Sequence, residues 1–362
     1  MRILIVKTSS LGDVIHTLPA LTDAYREIPG LRADWVVEES FADVPQWHPA
    51  VERVIPVAIR RWRKDWRRTW RSGQLGLFRQ DLRQVEYDQV IDAQGLLKSA
   101  LLTAMARGPV AGLDRSSARE PLAALFYRRR LRIPRAEHAV HRVRQLFAEV
   151  LKYQFDPGVI DYGLAQQFPV SPAPTVNLAE APLLTFLHGT TWQSKHWPER
   201  YWRKLALLAQ QAGYHVQLPW GNEAEYERAV RVADGLENVR VLDRTNLTDL
   251  AAYIAASAGV VAVDTGLGHL AAALNRPAVS IYGATNPTLS GTFGYHQLQL
   301  QSDLACSPCL RRECSYRGQP LVDEDADGNA FVVEPACYRA APPEQVLMHI
   351  GRMIQQSQGG VA

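Results

Sequence analysis

Residues Gly259–Leu274, GVVAVDTGLGHLAAAL, decide how the chain is read. The apolar run Val260 to Val263 has the length and β-branched content of a buried strand, Asp264-Thr265-Gly266 is a sharp polar turn, and a helix begins near Leu267. In an open parallel sheet such a turn lies at the carboxyl ends of the strands. There the helix N-terminus aims free N–H groups and positive dipole charge at a ligand, and phosphate is its natural occupant. The plainer alternative is an ordinary strand-to-helix connection with Asp264 as N-cap.

Working outward, strand and helix signals alternate on both sides of this stretch. Before it come RILIVK, then a helix from Val14 to Ile28, DWVVEE, RVIPVA, DQVIDAQ and a helix from Lys98 to Ala106. Around it lie the strand-like LLTFLHG, HVQLPWG, VRVLD and AVSIYG, with helices from Pro198 to Ala212, Glu223 to Ala233 and Leu247 to Ala256. Alternation of this kind means βαβ units and parallel sheets covered on both faces. The pattern breaks at QQFPVSPAPTVNLAEAP, residues 166–182, whose prolines mark a linker. The expectation is therefore an α/β protein of two doubly wound domains, 1–165 and 183–340, facing a cleft. An insert at 303–339 follows, and then an amphipathic helix in 341–362 that closes the second domain or packs back across the cleft.

With 362 residues of ordinary globular composition the chain can fill two cores. MRILIVK is too short for a signal peptide and no stretch is long enough to span a bilayer, which places the protein in the cytoplasm. The net charge of +3 is uneven: residues 1–165 hold 26 Lys and Arg against 19 Asp and Glu. The first half thus suits an anionic partner, while the modest total argues against a dedicated nucleic-acid binder.

Other turns at strand ends carry chemistry. Thr8-Ser9-Ser10-Leu11-Gly12-Asp13 follows the first strand and is not G-x-G-x-x-G, which counts against a nicotinamide dehydrogenase. Asp13 in a first helical turn either complements the dipole or, facing a cleft, serves as a general base. Thr190-Thr191-Trp192-Gln193-Ser194-Lys195 opens the second domain's first helix, with two hydroxyls and a lysine suited to a pyrophosphate. In RRWRKDWRRTWR, residues 60–71, Trp62, Trp66 and Trp70 recur every four residues among cations. That is the composition of a segment lying in an anionic membrane face, or of a helix packing its Trp stripe on its own domain.

Cys306, Cys309, Cys314 and Cys337 are expected as reduced thiols or as a structural zinc set. Asp323-Glu-Asp325-Ala-Asp327-Gly328 with Glu334 matches the calcium-loop pattern, although the absence of flanking helical signals favours a hairpin turning through Asp-Gly. The same aspartates form D-x-D triplets, but they lie far from the strand ends that carry the other candidates.

Taken together, KTSSLGDVIHTLPALTDA, WVVEE, RRWRK, DAQGLLKSA, AREPLA, KHWPER, LPWG and VDTGLGHLAAAL resemble the bacterial lipopolysaccharide heptosyltransferases, most closely those of type I. The likeness runs from residue 1 to about residue 290 through many ordered motifs. It implies a GT-B fold of two Rossmann-like domains and an inverting transfer of L-glycero-D-manno-heptose from ADP-heptose to the first Kdo of Kdo₂-lipid A. No catalytic metal or other cofactor is required, and the work is done at the inner face of the cytoplasmic membrane. By the same resemblance Asp13 is the base, and Thr190, Thr191, Lys195, Glu225, Asp264, Thr265, Gly266 and His269 bind the donor. Lys195 is catalytic as well, in stabilising the departing pyrophosphate. Lys7, Ser10, Arg60, Arg61, Arg63, Lys64 and Arg119 face the acceptor. Glu223 and Glu227 flank Glu225 and compete for its role. The alternatives are transfer to a later core sugar, a sugar-nucleotide epimerase on the same fold, or a non-catalytic binder of anionic lipid.

Overall fold

The computed structural model describes residues 1–64, 69, 72–169 and 181–359. Trp66, Trp70, Arg67, Arg68, Arg71 and most of the expected linker lie outside the described residues. The chain divides into two compact units, Met1–Gln167 and Phe168–Ala362.

Each unit is built on one six-stranded sheet. In the first, β1 (Arg2–Val6), β2 (Arg32–Glu38), β3 (Val51–Val57), β4 (Gln89–Asp92), β5 (Val110–Leu113) and β6 (Arg129–Leu131) stand in the order β3-β2-β1-β4-β5-β6. In the second, β7 (Leu183–Leu187), β8 (His215–Leu218), β9 (Val239–Val241), β10 (Gly259–Val263), β11 (Ala278–Tyr282) and β12 (Gln297–Gln301) stand in the order β12-β11-β10-β7-β8-β9. All pairings in both sheets are parallel. The two orders are the same doubly wound pattern, so each sheet reverses direction once, between β1 and β4 and between β7 and β10. Ligands of open α/β sheets bind outside the strand ends at such switch points.

The expected helix from Val14 to Ile28 is two helices, Leu11–Ile15 and Leu18–Glu27. Pro19 explains the break: it has no N–H for the Ile15 carbonyl, and its ring crowds that carbonyl. The short strands β5, β6 and β12 were not singled out from the sequence, although QLQLQ of β12 alternates as a strand does. Arg129–Leu131, rich in arginine, is an edge strand, and charged side chains are a common protection for edges.

The second core is aromatic. Trp197, Tyr201, Trp202 and Phe186 are all buried, with Trp197 and Trp202 meeting edge to face at 4.9 Å between ring centroids. The C-terminal helix Pro343–Gly359 lays Val346, Ile350 and Ile354 on this core within its own unit. Gly259 leaves room for it, since a Cβ there would come within 2.9 Å of Ile350 and Ile354. Asp323 to Phe331 form the hairpin and not a calcium loop: β13 (Val322–Glu324) pairs antiparallel with β14 (Ala330–Val332). Its turn is closed by Asp325, which accepts from the amides of Asp327 and Asn329 at 3.0 and 2.9 Å.

Of the tryptophan stripe, Trp62 is half-buried. It packs edge to face on Phe78 at 5.7 Å and donates its indole N–H to Gln74. This ring therefore serves the core of its own unit.

Candidate active site

At the first switch point the loop after β1 is held from two sides. Gln94, beyond the end of β4, accepts through Oε1 from the amides of Thr8 and Ser9 at 3.0 and 3.2 Å. Gln94 is itself placed by buried Asp92, which accepts from the Gln94 and Gly95 amides and from the hydroxyls of Ser99 and Tyr127. Burial pushes the Asp92 carboxyl upward against those four donors, so it anchors the loop and is shut off from any substrate.

Ser10 is the N-cap of Leu11–Ile15, and Asp13 is the third residue of that helix. The Asp13 Oδ2 accepts from the Ser10 amide at 2.8 Å, one half of a capping box, and also from the Ser10 hydroxyl at 2.9 Å. Lys7, buried, donates to the Ala93 carbonyl at 2.8 Å and stands 3.7 Å from Asp13 Oδ1. Burial alone would raise the Asp13 carboxyl. The Lys7 charge, the two Ser10 donors and the Arg119 charge outweigh it and hold the group below the usual aspartate value. Asp13 is thus an ionised carboxylate with one oxygen engaged and the other turned toward a lysine.

Cations gather around it. Lys98 donates to Ser9 Oγ at 3.3 Å, and its ammonium is lowered by burial and by the charges of Arg60 and Arg63, with Glu38 opposing. The helix Ile59–Lys64 is fastened where the Arg60 amide donates to Glu38 at 3.1 Å, and the Arg60 guanidinium lies over the Phe41 ring. Arg61 departs from the set, because it pairs with Glu39 at 3.0 Å. Arg63 and Lys64 are exposed. Lys98, Gln94 and Glu38 were not singled out from the sequence. Each follows or ends a strand, and that position was the available signal.

At the second switch point the same logic brings Lys195 to Asp264. The turn after β7 ends in a single 3-10 turn, Gln193–Lys195, whose lysine reaches across to place Nζ 2.7 Å from Asp264 Oδ2 and 4.5 Å above the Trp192 ring. Asp264 also accepts from the Thr285 hydroxyl, and its carbonyl takes the Thr190 hydroxyl at 3.0 Å. The helix starts at Gly266 with Thr265 as N-cap, so Asp264 is not the cap; its carboxylate is spent on Lys195. His269 is buried in that helix, and Thr191 is exposed.

Glu225, and neither Glu223 nor Glu227, is carried to the strand ends. Its Oε2 accepts from the Gly221 amide at 2.8 Å, and its carboxylate lies over Gly189 so closely that a Cβ there would be 2.6 Å away. Thr285 and Trp192 are further members of this site that sequence reasoning passed over, although Thr285 stands just past β11 as Asp264 stands past β10.

The cysteine-bearing insert braces this site. The Ser194 amide donates to the Arg312 carbonyl at 3.0 Å, Tyr338 donates to the Ser194 carbonyl at 3.1 Å, and the Leu310 amide donates to the Ala284 carbonyl at 2.8 Å. Cys306, Cys309, Cys314 and Cys337 are free thiols lining one small cavity beside Ser194. The expectation of zinc finds no support. Among the described residues no group of three or more His, Cys, Asp or Glu side chains is arranged to hold a metal ion. Burial, and then the other three cysteines beside it, push the Cys337 thiol up to about 12, so without a bound ion it is a protonated thiol.

One switch point therefore offers an ionised carboxylate among cations, and the other a lysine, hydroxyls and a helix N-terminus. The first can take a proton from a hydroxyl on an anionic substrate. The second can hold a diphosphate and carry the charge that develops on it as it leaves. A sequence profile decides whose site this is: that of glycosyltransferase family 9 (heptosyltransferase) matches residues 76–319. The chain belongs to glycosyltransferase family 9. It shares 54% identity with lipopolysaccharide heptosyltransferase 1 of Pseudomonas aeruginosa, over 98% of each chain. It also superposes on the E. coli heptosyltransferase WaaC solved with ADP, at a TM-score of 0.78 and 51% identity over 83% of this chain and 92% of the other. The same E. coli enzyme with ADP-2-deoxy-2-fluoro heptose gives 0.77 and 50% over 83% and 93%. Family 9 membership makes the protein a glycosyltransferase of the α/β class and sets aside the epimerase and the non-catalytic binder.

Proposed function

We propose that this family 9 enzyme moves L-glycero-D-manno-heptose from ADP-heptose to the first Kdo of Kdo₂-lipid A, with inversion, at the inner face of the cytoplasmic membrane. The reading is supported by the names of the relatives, by the ADP and ADP-heptose analogue bound to the E. coli enzyme, and above all by the Lys195–Asp264 pair beside a helix N-terminus. None of the described helices is long and apolar enough to cross a membrane, so a lipid acceptor is to be met from the membrane surface.

In this scheme Lys195, the hydroxyls of Thr190 and Thr191, and the amides at Thr265 and Gly266 hold the diphosphate, while Glu225 and His269 orient the nucleoside or sugar. The acceptor hydroxyl attacks the anomeric carbon as the bond to the β-phosphate oxygen breaks. Its proton passes to Asp13, and ADP leaves with its new charge against Lys195. Lys7 and Ser10 keep Asp13 ionised and aimed. Arg60, Arg63, Arg119 and Lys98 meet the Kdo carboxylates and lipid phosphates, and Lys195 with the helix N-terminus at the diphosphate does the work a divalent ion does in other transferases.

The test is ADP release from ADP-heptose in EDTA, with Kdo₂-lipid A, with an acceptor already carrying the first heptose, and with none. Release that requires Kdo₂-lipid A supports the proposal. Release only with the heptosylated acceptor would assign a later core sugar, and loss of release in EDTA would overturn the metal-free scheme.

A further inference from the structure

The first unit carries an exposed apolar face that catalysis does not use. In the helix Leu97–Thr103, Leu97 and Leu101 are 36% and 49% exposed; in the 3-10 helix Pro121–Phe126, Leu122, Leu125 and Phe126 are 60%, 51% and 37% exposed. Scattered leucines on a surface are unremarkable, but these sit on two elements that pack on each other. Ala100, Ala123, Ala124 and Tyr127 form the small buried contact between them. The residues left over point outward: Leu97 and Leu101 share a helix face at i, i+4, and Leu122 and Leu125 are eclipsed at i, i+3. The Leu97 amide, bonded to Glu120 Oε2 at 2.6 Å, ties the two elements together at one end.

The surrounding charge is mostly positive. Residues 93–113 and 121–135 contain no Asp or Glu; of the two carboxylates between them, Asp114 accepts from the Ser116 and Ser117 amides and Glu120 from the Leu97 amide. Lys98 adjoins Leu97, while Arg119 stands two residues before Pro121 and Arg128 two residues after Phe126. Lys98 and Arg119 are also the cations that reach Ser9 and Asp13. An apolar face flanked by cations is what a bilayer of anionic phospholipid recognises, with leucine and phenylalanine entering the acyl boundary and arginine meeting phosphate.

We propose that the face formed by Leu97, Leu101, Leu122, Leu125 and Phe126 docks unit 1 on an anionic phospholipid surface. This rests on the lipid-acceptor reading above and deepens it. A lipid-borne sugar then reaches Asp13 from the surface on which the enzyme already lies.

The test is flotation of the full-length protein with vesicles of phosphatidylcholine alone or with phosphatidylglycerol, without acceptor, at low and high salt. The wild type should bind the anionic vesicles and lose binding in high salt. The exposed double variants Leu122→Ser/Leu125→Ser and Leu122→Glu/Leu125→Glu should bind about tenfold or more weakly, with unchanged melting and unchanged turnover of a deacylated, water-soluble acceptor. Wild type that ignores anionic vesicles overturns the proposal, as does a serine variant that binds like wild type. So does a wild-type dimer that the variants dissociate, which would assign the face to a second copy. Absence of turnover by the wild type on any acceptor would instead sink the functional reading and leave the vesicle result to judge this face.

Discussion

Lys195 Nζ lies 2.7 Å from Asp264 Oδ2, with both side chains mostly shielded from water. The lysine at the end of β7 is thereby pinned over the helix that follows β10 before any ligand arrives. Such preorganisation spares the reaction the cost of gathering a flexible cation around the leaving group. Replacing Lys195 by Met should lower kcat by about 10²–10³. Asp264→Asn keeps the cation but frees it, and should cost about tenfold, largely recovered in neither KM nor ADP affinity. Steady-state kinetics with calorimetric titration of ADP separates the two. A Lys195→Met enzyme within a few-fold of wild type would remove the lysine from the chemistry.

Asp13 is held ionised by Lys7, Ser10 and Arg119 against the opposing effect of burial. Asp13→Asn should reduce kcat/KM by roughly 10²–10⁴ while ADP affinity is kept. The sign of the pH effect follows. A depressed carboxyl keeps its charge as pH falls until below the ordinary aspartate range, so the acid limb of kcat/KM set by Asp13 lies low. Lys7→Met withdraws the nearest cation, the carboxyl rises, and that limb moves to higher pH. A limb that stays in place or moves down would contradict the role given to Lys7.

How much of this could be read from the sequence depends on the residue type. Val260 to Val263 and Ile3 to Val6 are apolar on both faces, and only a central parallel strand explains that, so the core of each sheet was legible. RRL and QLQLQ are edge strands and VAGL lies next to one; all three are so short that pairing, more than composition, reveals them. Candidate site residues in the turns beside central strands could be placed for the same reason as the strands. What the sequence could not carry was which turn side chains are spent on one another: Asp264 on Lys195, Arg61 on Glu39, Gln94 on the Thr8 and Ser9 amides. The choice of Glu225 over its two neighbours likewise follows from its reach to Gly221, a relation between separate segments.

Gly189 offers a check on that choice. A methyl group there would stand 2.6 Å from the Glu225 carboxylate. The carboxylate, being the end of a flexible side chain, would swing away and give up its bond from the Gly221 amide. Gly189→Ala should therefore change stability by only about 1 kcal/mol and raise the donor KM about five- to tenfold. Glu225→Ala should reproduce the KM change, and the double variant should add nothing further. Additive effects in that double-mutant cycle would show that the glycine acts by another route.

His48 makes the first unit sensitive to acid. Its Nδ1 accepts from the Ala50 amide at 3.1 Å, which leaves the Nε2 proton to be donated to the Thr22 hydroxyl at 3.0 Å. A proton on Nδ1 would destroy the first bond, and burial pushes the imidazole from 6.5 down to about 4, with Asp161 opposing. The unfolded chain takes up this proton near 6.5, whereas the folded chain resists until about 4. Stability from this group is thus complete above the upper value and is lost as pH falls between the two, by at most about 3 kcal/mol. His48→Gln does not titrate there, and its free energy of urea unfolding should fall less steeply than that of wild type between about pH 7 and about pH 5. Parallel slopes for the two proteins would mean that the imidazole is already charged in the fold or that the acid sensitivity arises elsewhere.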